Sequence, residues 1–261
     1  QKEIFNIKNI SFVPTMGGLH KGHISLIKKS QNFKGKTLVS IFVNPKQFNE
    51  KKDFNKYPRD LKKDLIILKS LNVDFIYLPT LNDIFSFKVK NKIYLDMFSK
   101  KLCGKSRKGH FKGVLNIVNR FLDLIKPKYI FLGVKDFQQS YLINKHILKR
   151  KIKTKVINCK TIREKNGVAC STRNKNLSKS QFKVASKVIK YLKSKKRLIR
   201  KKISSFSSTS YKKDLINLGV TKIDYIELLN SKTLKRPRVK GENLRIFIAF
   251  YLNKTRLIDN I

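Results

Sequence analysis

Two histidines stand three residues apart, His20 and His23, at the end of the segment Pro14 to His23, PTMGGLHKGH. The segment follows a short apolar run and precedes a helical pattern, so Gly17 and Gly18 read as a tight strand-to-helix turn with exposed backbone amides. A helix N-terminus carries partial positive charge and unpaired N–H groups, which suit phosphate. Histidines three apart at such a terminus project to one side and can meet the same phosphate. The same spacing also fits surface or helix-capping histidines. A zinc site is the weaker reading, because neither H-E-x-x-H nor a nearby third ligand accompanies the pair.

Such a turn needs a sheet behind it. Short apolar runs recur at Ile10 to Val13, Leu38 to Val43, Val73 to Leu78 and Tyr129 to Leu132, and continuous runs of this kind suit strands buried on both faces. Between them, Ile24 to Lys29, Leu61 to Leu71 and Val114 to Ile125 repeat apolar residues three and four apart, the helical period. Strands alternating with helices predict an α/β fold with a Rossmann-like parallel sheet over residues 1–161. From residue 162 to 261 the texture changes. A long Lys-rich helical pattern (Gln181 to Lys202) precedes a Ser-rich stretch (Ser204 to Ser210), expected as an exposed loop, and strands at Tyr225 to Leu229 and Leu244 to Leu252. This second part reads as a smaller α+β domain.

The chain of 261 residues carries 61 Lys and Arg against 16 Asp and Glu, a formal net charge of +45. Charge of that size points to polyanions. Yet alanine occurs only at Ala169, Ala185 and Ala249, while Lys, Asn, Ile and Phe recur throughout, the mark of A/T-rich codons. The lysines spread over nearly every expected helix and loop, and the densest run, Lys193 to Lys202, reads as a solvated helix face. We therefore expect no specific nucleic-acid partner. Cys103, Cys159 and Cys170 form an odd set without a C-x-x-C pair, which suggests neither a disulfide framework nor a cysteine zinc site and fits a reducing, cytoplasmic compartment. The longest apolar runs, such as Ile246 to Leu252, fall short of the about 20 residues of a membrane span, so no membrane association is expected.

Six blocks in register carry a family resemblance: PTMGGLHKGH, VSIFVNPKQF (Val39 to Phe48), YPRDLKKDL (Tyr57 to Leu65), GHFKGV (Gly109 to Val114), GVKDFQQ (Gly133 to Gln139) and REKNGVACSTRN (Arg163 to Asn174). In this order and spacing the chain resembles the pantothenate synthetases, or pantoate–beta-alanine ligases, of the H-x-G-H nucleotidylyltransferase superfamily. The resemblance implies ATP-dependent condensation of pantoate with β-alanine through an acyl adenylate, with Mg²⁺, in a homodimer. It places the ATP site on Met16, Gly17, Gly18, Leu19, His20, Lys21, Gly22 and His23, on Gly133, Val134, Lys135 and Asp136, on Ile162, and on Cys170, Ser171, Thr172 and Arg173. His20, His23 and Lys135 are the implied catalytic groups, with His23 at the family's proton-donor position. Gln47 and Gln139 are implied for pantoate, and Asp64 for the metal, although an acid there can equally balance neighbouring lysines. In that family a further segment usually precedes the first strand; this sequence opens at Gln1 without it.

The sequence departs from the family pattern at Val134 (usually Glu), Cys170 (usually Met or Leu), Thr172 (usually Ser) and Lys108 (usually Pro). Val134 matters most, since an acid beside Lys135 is lost. Two rivals remain: another adenylyl or nucleotidyl transferase of the same superfamily, and a basic nucleic-acid-binding protein resting on charge alone.

The charge reading has a direct check. Binding to DNA or RNA should be independent of sequence and should weaken about tenfold or more between low and physiological salt, through lost counterion release. A salt titration measures it, and tight sequence-selective binding at physiological salt would contradict the codon-usage reading.

Overall fold

A computed structural model describes residues 7–48, 54–55, 57–85, 92–239 and 243–261. The chain divides into two compact units, Gln1–Ile162 and Arg163–Ile261.

The first unit is built on five parallel strands: β1 (Ile10–Thr15), β2 (Lys36–Ile41), β3 (Phe75–Tyr77), β4 (Tyr129–Gly133) and β5 (Lys155–Cys159), in the order β3-β2-β1-β4-β5. β1 lies in the middle, with Val13 beside Val39 of β2 and Phe12 beside Ile130 of β4. Adjacent residues of one strand enter opposite layers. Phe12, Leu38 and Ile130 pack with Val114, Leu115, Val118 and Leu122 of the helix His110–Ile125. Val13, Val39 and Phe131 pack on the other face with Leu26 and Ile27 of the helix Lys21–Gln31 and Leu68 of the helix Leu61–Ser70. Both layers are apolar, which is why these strands read as unbroken apolar runs rather than alternating ones.

β5 and the helix Phe137–Lys149 are not evident from periodicity. In that helix Gln138 and His146 are buried beside Leu142, Ile143 and Ile147, so polar residues interrupt the apolar pattern. Each has partners far along the chain. Gln138 accepts the Cys103 N–H and donates to the Phe98 and Lys101 carbonyls. His146 Nδ1 accepts the Tyr94 N–H at 3.1 Å, which leaves Nε2 to donate to Asn119 Oδ1 at 2.8 Å.

The second unit is an antiparallel sheet, β6 (Lys222–Asn230), β7 (Leu244–Leu252) and β8 (Thr255–Asn260), with β7 central. Ile246, Ile248 and Phe250 of β7 pack with Val188, Ile189 and Leu192 of the helix Lys179–Lys201. That helix opens on a capping box between Ser178 and Gln181. The Ser-rich stretch departs from expectation. Instead of an exposed loop, Ser207 caps a helix, Ser208–Asn217, by accepting the Ser210 N–H, and Phe206 is buried against Tyr211. Serines just ahead of an apolar period are a helix-start signal. The lysine run ending this unit's long helix is largely exposed. Lys195 and Lys196 are half-buried, and for Lys196 burial, then Arg200 and Arg245, push its ammonium down to about 8.

Among the described residues no helix is long and apolar enough to cross a membrane. Cys103, Cys159 and Cys170 are buried as free thiols.

The buried His146 ties stability to pH. Burial, then the neighbouring Arg150 charge, lowers its proton affinity below the ordinary 6.5. The unfolded chain therefore binds a proton that the folded one refuses, so this contribution is fully present above about pH 6.5 and is lost as pH falls through the depressed folded value. Urea midpoints should fall between about pH 7.5 and about pH 5.5; a midpoint that rises over that interval would contradict the assignment.

Candidate functional site

The strand order reverses between β1 and β4, and in open parallel sheets ligands collect beyond the carboxyl ends of strands at such a point. Here the loop after β1 carries Met16 to His20, and the turn after β4 carries Val134 to Asp136. The two motifs, more than a hundred residues apart in sequence, meet because their strands are neighbours.

Gly17 and Gly18 take left-handed conformations, φ +75° and +62°, which only glycine adopts without strain. The amides they turn are not exposed as the sequence suggested. The Gly17 N–H points to Thr15 Oγ1 at 3.3 Å. Those of Gly18 and Leu19 donate to Asp64 Oδ2 and Oδ1 at 2.7 and 2.8 Å. Asp64, in the first turn of the helix Leu61–Ser70, is 2% exposed. The loop's amides thus already hold an anion, and it is the protein's own carboxylate.

What remains for a phosphate is side chains and the helix terminus. His20 is the N-cap of the helix Lys21–Gln31, its Nδ1 accepting the Gly22 N–H at 3.0 Å. The capping reading therefore holds, and an Nδ1 that accepts leaves the proton on Nε2. The His23 ring lies 4.0 Å from that of His20, tilted by 34°. Its Nδ1 is buried without a hydrogen-bond partner in the protein. Burial first, then the His20 and Lys135 charges, hold its proton affinity well below 6.5. At neutral pH the ring is uncharged and offers one N–H rather than an extra proton.

Lys135 Nζ pairs with Asp136 at 3.0 Å, the side chains 18% and 43% exposed. A pair this open is worth at most about 1 kcal/mol, so a phosphate can replace the carboxylate. Val134, beside this pair, supplies no carboxylate to it.

Gln47 sits in the short turn Pro45–Gln47, its side-chain amide on Met16 Sδ. Residues without an assigned role in the sequence reading hold it in place. Its carbonyl accepts from His110 Nδ1 at 2.7 Å and from Arg107 at 3.2 Å. The buried Asn44 accepts the Lys46 N–H and donates to the Gly113 carbonyl. A Cβ on Gly113 would lie 2.3 Å from the Lys46 carbonyl oxygen. Asn44, His110 and Gly113 all stand inside recognised blocks, and that membership was the available signal. Gln139 is half-buried on the helix that follows Asp136, while its neighbour Gln138 is committed to structure.

The remaining expected residues lie at the start of the second unit, apart from Ile162, which ends the first. There Ser171 caps a short turn, Thr172–Asn176, by accepting the Arg173 N–H. Thr172 is buried, and the Cys170 thiol donates to Glu164 at 3.2 Å. Arg163 anchors this segment, bonding both oxygens of the 3% exposed Asp259 at 2.6 and 2.9 Å and the Gly167 carbonyl at 3.0 Å.

For Mg²⁺ the residues do not fit a protein-held site. Both Asp64 oxygens are engaged by backbone amides, and the described residues contain no group of three or more His, Cys, Asp or Glu able to hold a metal ion.

Comparison with known proteins bears directly on this site. The Pantoate-beta-alanine ligase family model matches residues 2–261. The chain is 40% identical to a pantothenate synthetase of Flavobacterium psychrophilum, over 97% of this chain and 92% of that protein. It is 39% identical to one of Francisella tularensis subsp. novicida, over 99% and 94%. Among solved structures, a pantoate-beta-alanine ligase from Francisella tularensis complexed with beta-gamma ATP and beta-alanine superposes with TM-score 0.82 at 38% identity, covering 99% of this chain and 93% of that one. Pantothenate synthetase from Thermus thermophilus gives TM-score 0.88 at 28% identity, over 100% and 96%.

The neutral state of His23 is measurable. Ring ¹⁵N shifts in the nucleotide-free protein should give a titration midpoint below the ordinary 6.5, and a bound polyanion should raise it. A midpoint at or above about 6.5 before any ligand is added would remove the buried, like-charged environment argued for this ring.

Proposed function

The chain belongs to the pantoate-beta-alanine ligase family, and from that premise we infer that it condenses (R)-pantoate with β-alanine to pantothenate, consuming ATP and releasing AMP and pyrophosphate. The observation that carries the reading is the meeting of His20, His23 and Lys135 beyond the carboxyl ends of β1 and β4.

The chemistry divides into two displacements. The pantoate carboxylate, already ionised, attacks the α-phosphorus; the P–O bond to pyrophosphate breaks and an acyl adenylate forms. The β-alanine amine then attacks the acyl carbon, loses a proton and expels AMP. The first displacement asks for alignment and for charge stabilisation on the phosphates more than for proton transfer. His20 suits this work because its capping bond fixes which nitrogen donates. His23 supplies a second neutral donor, its proton affinity rising as phosphate charge arrives. Lys135 exchanges Asp136 for a phosphate oxygen, which frees Asp136 to accept from a ribose hydroxyl.

Gln47 and Gln139 are proposed for pantoate, since an amide both donates to and accepts from hydroxyl and carboxylate without adding charge. The backbone clamp on Gln47 supports its part. For Met16 to His23, Gly133 to Asp136, Ile162 and Cys170 to Arg173 the ATP assignment rests on the family resemblance, and the anchored turn after Arg163 supports a defined rather than a loose phosphate loop. Mg²⁺ is proposed to be carried by the triphosphate's own oxygens, as this small, strongly hydrated ion commonly is. A homodimer and a cytoplasmic setting are proposed on the family resemblance alone.

Pyrophosphate exchange into ATP tests the reading. It should require pantoate and not β-alanine; exchange without pantoate, or none at all in the folded enzyme, would overturn it. In the same assay His23→Ala should lower turnover by about two to three orders of magnitude, as expected when a group that stabilises transition-state charge is lost. Gln47→Ala and Gln139→Ala should raise the KM for pantoate far more than that for ATP, and equal effects on both substrates would refute their assignment.

A further inference from the structure

We propose that Asp64 is a positioning residue that shapes the phosphate loop by occupying it as an internal anion, and that it does not ligate the metal. The inference rests on the reading of the β1–helix loop as the nucleotide site, and deepens it.

Glycine-rich turns that lead into a helix ordinarily aim successive amides at a bound anion. In this chain the paired left-handed residues Gly17 and Gly18 aim the Gly18 and Leu19 amides at Asp64. The carboxylate divides its oxygens between them, one amide each, at 2.7 and 2.8 Å. Gly17 shows how closely the loop is fitted around it. A Cβ there would stand 2.9 Å from Asp64 Oδ2 and 3.1 Å from Ile41 Cγ2, so a side chain at residue 17 would have to displace the Asp64 carboxylate, in addition to the strain of its φ. Asp64 also sits in the first turn of its own helix, where an acid is favoured.

A metal ligand needs a face open to the ion and its waters. A carboxylate that is 2% exposed, with an amide on each oxygen, has none. As a clamp, the same burial is an advantage, because it holds the loop in shape before any nucleotide arrives. The nucleotide then meets a preformed rim of His20, His23 and Lys135.

Asp64→Asn keeps the shape of the side chain but replaces one acceptor by an NH₂ group facing an N–H donor. In the metal-free, nucleotide-free protein, hydrogen exchange at the Gly18 and Leu19 amides should quicken by about tenfold or more relative to wild type, as expected for loss of a hydrogen bond to a charged group. The KM for ATP should rise, while the Mg²⁺ concentration giving half-maximal pyrophosphate exchange should stay within about twofold of wild type. Unchanged amide exchange, or a Mg²⁺ requirement raised severalfold with the KM for ATP unmoved, would overturn the proposal.

A second measurement needs no variant. Mn²⁺ added alone to the nucleotide-free wild-type protein should leave the Gly18 and Leu19 amide resonances sharp, and selective broadening of those two would place the ion at Asp64 and refute the clamp. The two readings fail separately. Slow exchange at both amides in a protein that catalyses no pantoate-dependent pyrophosphate exchange would keep the clamp and discard the activity.

Discussion

Burial of β1 on both faces is the constraint from which the rest of the first unit follows. A strand whose consecutive residues, Phe12 and Val13, are each sealed in a different apolar layer can occupy only the interior of a sheet covered on both sides. Parallel neighbours then require crossover helices, and β1 acquires β2 on one edge and β4 on the other. The turn that ends β1 and the turn that ends β4 are thereby fixed side by side. The Lys135 charge reaches His23 because of that adjacency.

Within that frame, two kinds of donor are kept apart. Backbone amides in the loop face inward to Asp64, an arrangement of two charge-assisted bonds worth about 1.5–3 kcal/mol each. The other donors are side chains, and these differ in kind. His20 has its tautomer set by a helix cap, His23 is kept neutral by burial, and Lys135 carries a full charge on an exchangeable partner. The site thus carries an inner set of backbone bonds and a separate set of side-chain donors. Around Gln47 a similar division recurs, with its backbone carbonyl held by His110 and Arg107 and the turn closely approached by Gly113, while its side-chain amide rests on Met16.

The fold class was legible because apolar runs and helical periods are local. β1, β2, β4 and the helix His110–Ile125 declare themselves within a few residues. β5, β8 and the helix Phe137–Lys149 do not, since the buried positions of β8 and that helix include His146, Asp259 and Asn260. Burying such groups is tolerable only with partners, here Asn119 and Arg163, and no local pattern predicts a partner dozens of residues away. The site divides the same way. The histidine pair and its turn are visible as a motif, whereas the destination of the loop amides is not. Asp64 lies 46 residues from Gly18, and only the folded sheet brings its helix to the loop.

The acids of this chain have a wider consequence. Every aspartate among the described residues accepts a hydrogen bond from a specific group: Asp60 and Asp96 cap helical turns, Asp74, Asp123, Asp136, Asp224 and Asp259 meet cations, Asp83 and Asp214 meet hydroxyls, and Asp64 meets amides. The aspartates have thus been placed atom by atom, and the chain still carries a net +45. A body so charged repels itself, and only mobile anions from the surrounding solution can quench that repulsion over distances near a Debye length. The ion atmosphere is accordingly a component of the folded state, as much a part of the molecule's energetics as its core.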